Sequence, residues 1–288
     1  MKKRVIAAAI LIFLIQMTTY TDSTDLNKFR KPKKTTVWQD LSYDASCFGA
    51  DWGNYFIEPF RSTKNILITS GVITGTVLSS AADREFREAV SRRDFATYNG
   101  DFWDGPTFYG FVQYPSIFGG ILYTTGLVTR ESEIRKTGRM LLQALAYSGT
   151  VTMGMRYLFG RHRPFTSSNG SQYEFSWFST AGDTQSFPSG HMVVATTTST
   201  ILAEQIDTWW ARVVLYGFAA LTGYARLYND KHWISDVIFG AALGYGSAKF
   251  VLAREREREE NEKRKMKRKG GGISLYPSFN GFSLIYNF

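Results

Sequence analysis

Three short segments of this 288-residue chain gather residue types that could hold an anion and move protons beside it. The first runs from Arg156 through Arg161, His162 and Arg163 to Pro164. The second is Ser186, Phe187, Pro188, Ser189, Gly190 and His191. The third runs from Arg226 through His232 to Asp236. Together they hold all three histidines of the chain. In the second segment Ser186 and Ser189 are good capping residues, and Pro188 suits a first helical turn, where its missing N–H costs nothing. An uncharged run from Met192 to Ala203 follows. This predicts a helix N-terminus with free N–H groups facing an anion, and Gly190 lets a ligand approach the backbone closely.

Gathering Arg156, Arg163 and Arg226 costs repulsion and desolvation, because Asp236 is the one acidic residue among the motif positions. A phosphate, with a charge of about −1.5 to −2 and several acceptor oxygens, would relieve that cost, and arginine suits such forked contacts. His232 and Asp236 are four residues apart, so on a helix they share a face. Asp236 accepting from one ring nitrogen would fix the tautomer and leave the other nitrogen free to attack. His191, with no carboxylate neighbour in sequence, suits a general acid that protonates a leaving oxygen. His162, between two arginines, is expected to line the loop only.

The three segments resemble the signature of the type 2 phosphatidic acid phosphatase superfamily, which also includes bacterial class A acid phosphatases and vanadium haloperoxidases. That signature is Lys-x6-Arg-Pro, Pro-Ser-Gly-His and Ser-Arg-x5-His-x3-Asp. This chain carries Arg156-x6-Arg163-Pro164, then Pro188-Ser189-Gly190-His191, then Arg226-x5-His232-x3-Asp236. Two positions depart: Arg156 stands for the usual lysine and Ala225 for the serine before Arg226. The resemblance implies an all-α bundle with the site at one end. It also implies a phosphohistidine formed on His232 with help from Asp236, and protonation of the departing alcohol by His191. Arg156, Arg163, Ser189, Gly190 and Arg226 would bind the phosphoryl oxygens. That scheme needs no metal and no cofactor, although vanadate could occupy the phosphate site.

The elements that must position these residues are legible as nearly uncharged runs: Asn65–Ala82, Gly105–Thr129, Met140–Met155, Pro188–Ala203, Val213–Ala225 and Trp233–Leu252. Their lengths suit helices, which predicts one six-helix bundle over 64–253. Residues 1–21 carry Lys2, Lys3 and Arg4 before an apolar core, as a signal peptide or N-terminal anchor does. Residues 22–63 read as an irregular, aromatic-rich lead-in, and 254–272 as a charged linker of solvated helix. The end, 273–288, reads as a β-hairpin around Asn280 and Gly281.

The net charge of +9 comes largely from local runs, and no basic motif interleaved with base-stacking aromatics accompanies it, so nucleic acid is not an expected partner. The single Cys47 excludes a disulfide framework and a cysteine metal site. Nothing in the sequence bears on oligomeric state. The leading expectation is therefore an exported, metal-independent phosphatase acting on a lipid phosphate or diphosphate such as phosphatidate, a polyprenyl diphosphate or lipid A. A membrane surface is the expected partner, with the site facing the periplasm. A soluble acid phosphatase, a haloperoxidase and a non-catalytic phospholipid-binding envelope protein are the alternatives.

Overall fold

The apolar runs fold as helices whose ends are set by local chain chemistry. A computed structural model of the protein describes residues 36–90, 101–167, 170–270, 273–278 and 281–286. Helix α1 spans Val37–Ile57, α2 Thr63–Ser80, α3 Asp83–Val90, α4 Asp101–Tyr109 and α5 Gln113–Thr129. Helix α6 spans Ser132–Phe159, α7 Gly190–Ile206, α8 Trp209–Tyr228 and α9 Ile234–Gly270. Strands β1, Ile273–Ser278, and β2, Gly281–Tyr286, pair antiparallel. The expected signal segment, the basic stretch after it and the hairpin tip at Asn280 lie outside the described residues.

Three expectations change. The lead-in is helical: Thr36 and Gln39 close a reciprocal capping box at the start of α1. Its aromatics do pack on the body, with Phe48, Trp52 and Tyr55 all stacking around Tyr147 of α6. The run Gly105–Thr129 is two helices, because the chain turns at Gly110 and Pro115 opens α5, where its missing N–H is tolerated. The charged segment after Leu252 is no separate linker but continues α9 to Gly270.

Helix α7 runs through the middle, buried almost throughout from Met192 to Ala203. One core cluster joins Met140, Leu141, Ala144 and Leu145 of α6, Ile201 of α7 and Ala248, Val251 and Leu252 of α9, with Tyr55 of α1 against them. Each such large apolar side chain contributes about 1.5–3 kcal/mol when fully buried. A second cluster, Met192, Ala195, Ala219 and Val237, ties α7 to α8 and α9. In the α7 threonine–serine run Ser199 Oγ donates to Leu215 O at 2.7 Å and Thr197 Oγ1 to Gly244 O at 3.3 Å, while the Oγ1 atoms of Thr196 and Thr198 are buried without a hydrogen bond among the described residues. This packing brings the C-terminal ends of α6 and α8 beside the N-terminal starts of α7 and α9. The three motif segments occupy that one end.

Candidate active site

Arg156 sits in the last turn of α6, which stops at Gly160 in the left-handed region at φ +54°. A side chain there would collide with the carbonyl of Ser176, 1.7 Å from the position of its Cβ. Arg156 Nε donates to Pro188 O at 3.2 Å, which lays the guanidinium across the start of α7. A Cβ on Gly190 would lie 2.6 Å from Arg156 Nη2. The glycine of the second motif thus admits an arginine as well as a ligand. Pro188 is not in the first helical turn. It precedes the cap residue Ser189, its peptide bond to Phe187 is cis, and α7 begins at Gly190.

Around this point the polar groups are short of partners. Arg156, Arg163 and Arg226 form no ion pair with any described residue. The Nε atoms of Arg163 and Arg226, the Oγ of Ser189 and the Nε2 of His191 are buried without a hydrogen bond. A buried donor left unmade costs about 1–3 kcal/mol, more when charged. Burial pushes the Arg163 guanidinium down from its usual range. Lys231, whose Nζ lies 4.2 Å above the Phe165 ring, is likewise pushed down by burial and then by Arg163 and Arg226. Among the described residues the site is cationic, with Asp236 and Asp183 acting on the Arg156 and Arg163 guanidiniums only from beyond ion-pair distance.

His232 is buried, at 3% exposure. Its Nδ1 lies 2.8 Å from Ser186 O but 3.8 Å from Asp236 Oδ2. The expected histidine–aspartate hydrogen bond is therefore replaced: a backbone carbonyl receives the Nδ1 proton, and Asp236 acts through charge at a longer distance. The consequence for the ring is the one expected, with Nε2 left free. Burial holds the His232 pKa down at about 4, with Asp236 opposing and Arg226 and Arg163 adding to the depression.

Asp236 has other partners. Ser186 Oγ donates to its Oδ2 at 2.5 Å, the Trp233 N–H to the same oxygen at 2.9 Å, and Arg161 Nη1 to its Oδ1 at 2.6 Å. Ser186 also donates its N–H to Arg161 O at 3.0 Å, and Ser189 its N–H to Asp236 O at 3.1 Å. The sequence reading missed Arg161, which is buried and bound where its neighbours Arg156 and Arg163 are free, and Asp83, which grips Arg161 from α3. No local spacing separates a bound arginine from a free one. His162 lines the loop as expected, its Nε2 2.8 Å from Ser176 Oγ.

Beside the site lies an apolar cavity of about 450 Å³, between α2 and the aromatic loop after α6. Ile73, Val77, Phe159, Trp177 and Phe239 line it, and Arg161, Phe187 and Ser235 form the wall towards the motifs. Among the described residues, no group of three or more His, Cys, Asp or Glu side chains gathers as metal ligands do.

Residues 138–260 match the family model of the PAP2 superfamily. A lipid A 1-phosphatase from Porphyromonas gingivalis is 33% identical over 113 residues, covering 37% of this chain and 22% of that protein. A transmembrane PAP2 type phosphatidylglycerolphosphate phosphatase from Bacillus subtilis has a similar fold. Its TM-score is 0.50 at 18% identity, over 65% of this chain and 96% of that one. LpxE from Aquifex aeolicus aligns at 21% identity with a TM-score of 0.37, over 57% of this chain and 99% of its own. All three motifs lie inside the matched region and meet at one end of the bundle, so this part of the chain is similar to the PAP2 superfamily.

Proposed function

We propose that the protein is a phosphatase that removes a phosphate from a lipid phosphate or diphosphate monoester through a phosphohistidine. The observation that carries this reading is the trio of guanidiniums, one buried and two half-buried, with no carboxylate partner among the described residues, set around two histidines whose Nε2 atoms make no hydrogen bond there. The His232 Nε2 lone pair attacks phosphorus. Burial and then Arg226 hold the His191 pKa down at about 3, and the negative charge of a bound phosphate favours its protonated form; the bond from phosphorus to the leaving oxygen breaks as protonated His191 gives that oxygen its proton. Water then attacks phosphorus, passes a proton to His191 and displaces His232, releasing inorganic phosphate. Arg156, Arg163 and Arg226, with the backbone at Ser189 and Gly190, hold the three phosphoryl oxygens and favour the charge of the transition state. Asp236 favours the positive charge that His232 gains on attack. These guanidiniums supply the positive charge that a metal provides in other phosphatases, so the reaction is metal-independent.

A lipid leaving group fits the surroundings. The cavity beside the site has room for part of an acyl or prenyl chain, and the curated relative's name specifies lipid A. Outward faces of several helices are apolar: Leu67 and Leu78 on α2, Ile117 and Val128 on α5, Met153 on α6, and Trp209 and Val213 on α8 are all exposed. Among the described residues, the helix over Ile234–Lys265 is long and apolar enough to cross a bilayer, as is the pair α2 and α3 if its 60° bend is one broken span. The basic end of α9 favours a cytoplasmic position, which leaves the site on the periplasmic face.

The test is phosphate release from phosphatidate, a polyprenyl diphosphate, lipid A and p-nitrophenyl phosphate, with wild type and His232→Ala, each with and without chelator. Chelator-resistant turnover of the lipids, lost in the variant, together with an acid-labile phosphoprotein in rapid quench, is expected. Folded wild type without turnover on any of the four would overturn the reading. A preference for p-nitrophenyl phosphate would replace the lipid substrate with small soluble esters.

A further inference from the structure

Behind the His232 and Asp236 pair lies a chain of buried charges that the scheme above does not use. Asp83, the first residue of α3, is 1% exposed, Arg161 4% and Asp236 0%. Arg161 stands between the two carboxylates. Its Nη2 donates to Asp83 Oδ2 at 2.6 Å and its Nη1 to Asp236 Oδ1 at 2.6 Å. Asp83 also accepts from the start of α9, with Ser235 N at 2.9 Å and Ser235 Oγ at 2.7 Å. Arg161 is further fixed by Gln172 O, to which Nη2 donates at 2.8 Å, and by the Trp233 ring, whose centroid is 5.6 Å from its Cζ.

A buried arginine needs one carboxylate for neutrality; this one has two. With both carboxylates ionised the triad keeps a net negative charge, and Asp236 carries its share of it to within 3.8 Å of His232 Nδ1. With Arg161 alone, Asp236 would be neutralised and its field at His232 largely cancelled. Asp83 draws part of Arg161's charge away, while Arg161 fixes the direction in which Asp236 faces. Truncating either leaves an uncompensated buried charge, which proteins avoid unless the arrangement serves a purpose.

We propose that Asp83 and Arg161 are positioning residues for the phosphoryl-transfer step, a clamp that orients Asp236 and keeps it negative towards His232. This rests on the phosphatase reading for its kinetic consequence, and on the contacts above for the clamp itself.

The experiment uses the full chain in detergent and the variants Asp83→Asn, Arg161→Lys and Arg161→Gln. Asp83→Asn removes a negative charge, so protonation of His232 becomes less favourable and the acid limb of kcat/KM moves to lower pH, by roughly half a unit. Arg161→Gln removes a positive charge and moves the limb to higher pH. Arg161→Lys keeps the charge and restores the wild-type limb with part of the rate. In each neutralising variant kcat falls about 10–100-fold, as when outer partners of functional histidines are removed, with KM within about twofold. The other groups that face His232 (Asp236, Arg226, Arg163 and His191) are unchanged in all three, so the shifts report the clamp.

The same titration is read without turnover from the ring 15N resonances of His232, one of only three histidines in the chain. Opposite shifts for the two neutralising changes establish the clamp. Folded variants that keep the wild-type limb, the wild-type His232 titration and the wild-type kcat overturn it. So does activity lost only in step with the folded fraction. If Arg161→Gln does not fold, Asp83→Asn against Arg161→Lys still decides. Wild type without turnover but with a shifted His232 titration in Asp83→Asn would defeat the phosphatase reading and leave the clamp standing.

Discussion

Near the start of α6, Arg139 meets Asp44 at 3.1 Å and Glu255 at 2.6 Å; in its last turn, roughly 25 Å further along the axis, Arg156 meets no carboxylate. The neighbours repeat the pattern. At the first end Asp51 pairs with Arg254 and Arg258, Arg135 with Asp40, and Glu204 with Lys249 and Arg256. At the other end Arg163 and Arg226 are as solitary as Arg156, and Asp236, the nearest acid, is taken by Arg161. Both ends bury guanidiniums in similar surroundings, so desolvation cannot be what separates them. What separates them is completeness. One set is closed by the chain itself and holds α1, α6 and α9 together; the other is left open, with no carboxylate in ion-pair reach among the described residues.

That contrast predicts which substitutions harm stability and which harm activity. His232→Ala should lower turnover by at least ~10⁴-fold while leaving the thermal midpoint nearly unchanged; a variant retaining a tenth of the activity would remove the nucleophile from the scheme. Arg226→Gln at the open end should lower kcat ~10²–10³-fold. Without ligand its midpoint should equal or exceed that of wild type, since like charges are relieved. Inorganic phosphate or vanadate should raise the wild-type midpoint and leave this variant's unmoved. Arg139→Ala at the closed end should do the reverse, costing about 3–5 kcal/mol of stability with unchanged kcat per folded molecule. Equal effects of the Arg226 and Arg139 changes in both assays would end the distinction.

Two smaller effects sharpen it. Because His232 must be neutral to attack and burial holds it at about 4, the acid limb of kcat/KM should lie near pH 4. A bound phosphate brings negative charge beside the ring and favours its protonation, so the acid limb of kcat should lie at higher pH than that of kcat/KM. Coincident limbs would mean that the anion binds elsewhere. Thr36→Ala removes the capping box of α1 and should cost about 1 kcal/mol, seen in urea unfolding with no change in kinetics.

The three motif segments and most helices were legible in the sequence because both signals are local. A helix end is written in its capping residue, and Pro188 to His191 announces a turn into α7. The exchange of partners at His232 was not legible. Spacing four residues apart says that two side chains can touch, but Ser186 O arrives from a segment 46 residues away and takes the proton first. Asp83 was hidden for the same reason: it contacts Arg161 across 78 residues, and nothing near it in sequence differs from an ordinary first-turn acid. Helix α1 was misread because Trp, Tyr and Phe among acidic residues look like a loop until Tyr147 supplies the surface on which they stack.

Ser186 ties all three motif segments at a single residue: its N–H to Arg161, its carbonyl to His232 and its hydroxyl to Asp236. The partners are spread over 75 positions of chain, from Arg161 to Asp236. During synthesis, then, a fragment ending before α9 carries the first two segments and His232 but lacks Asp236, so the hydroxyl of Ser186 meets its partner only once α9 has emerged.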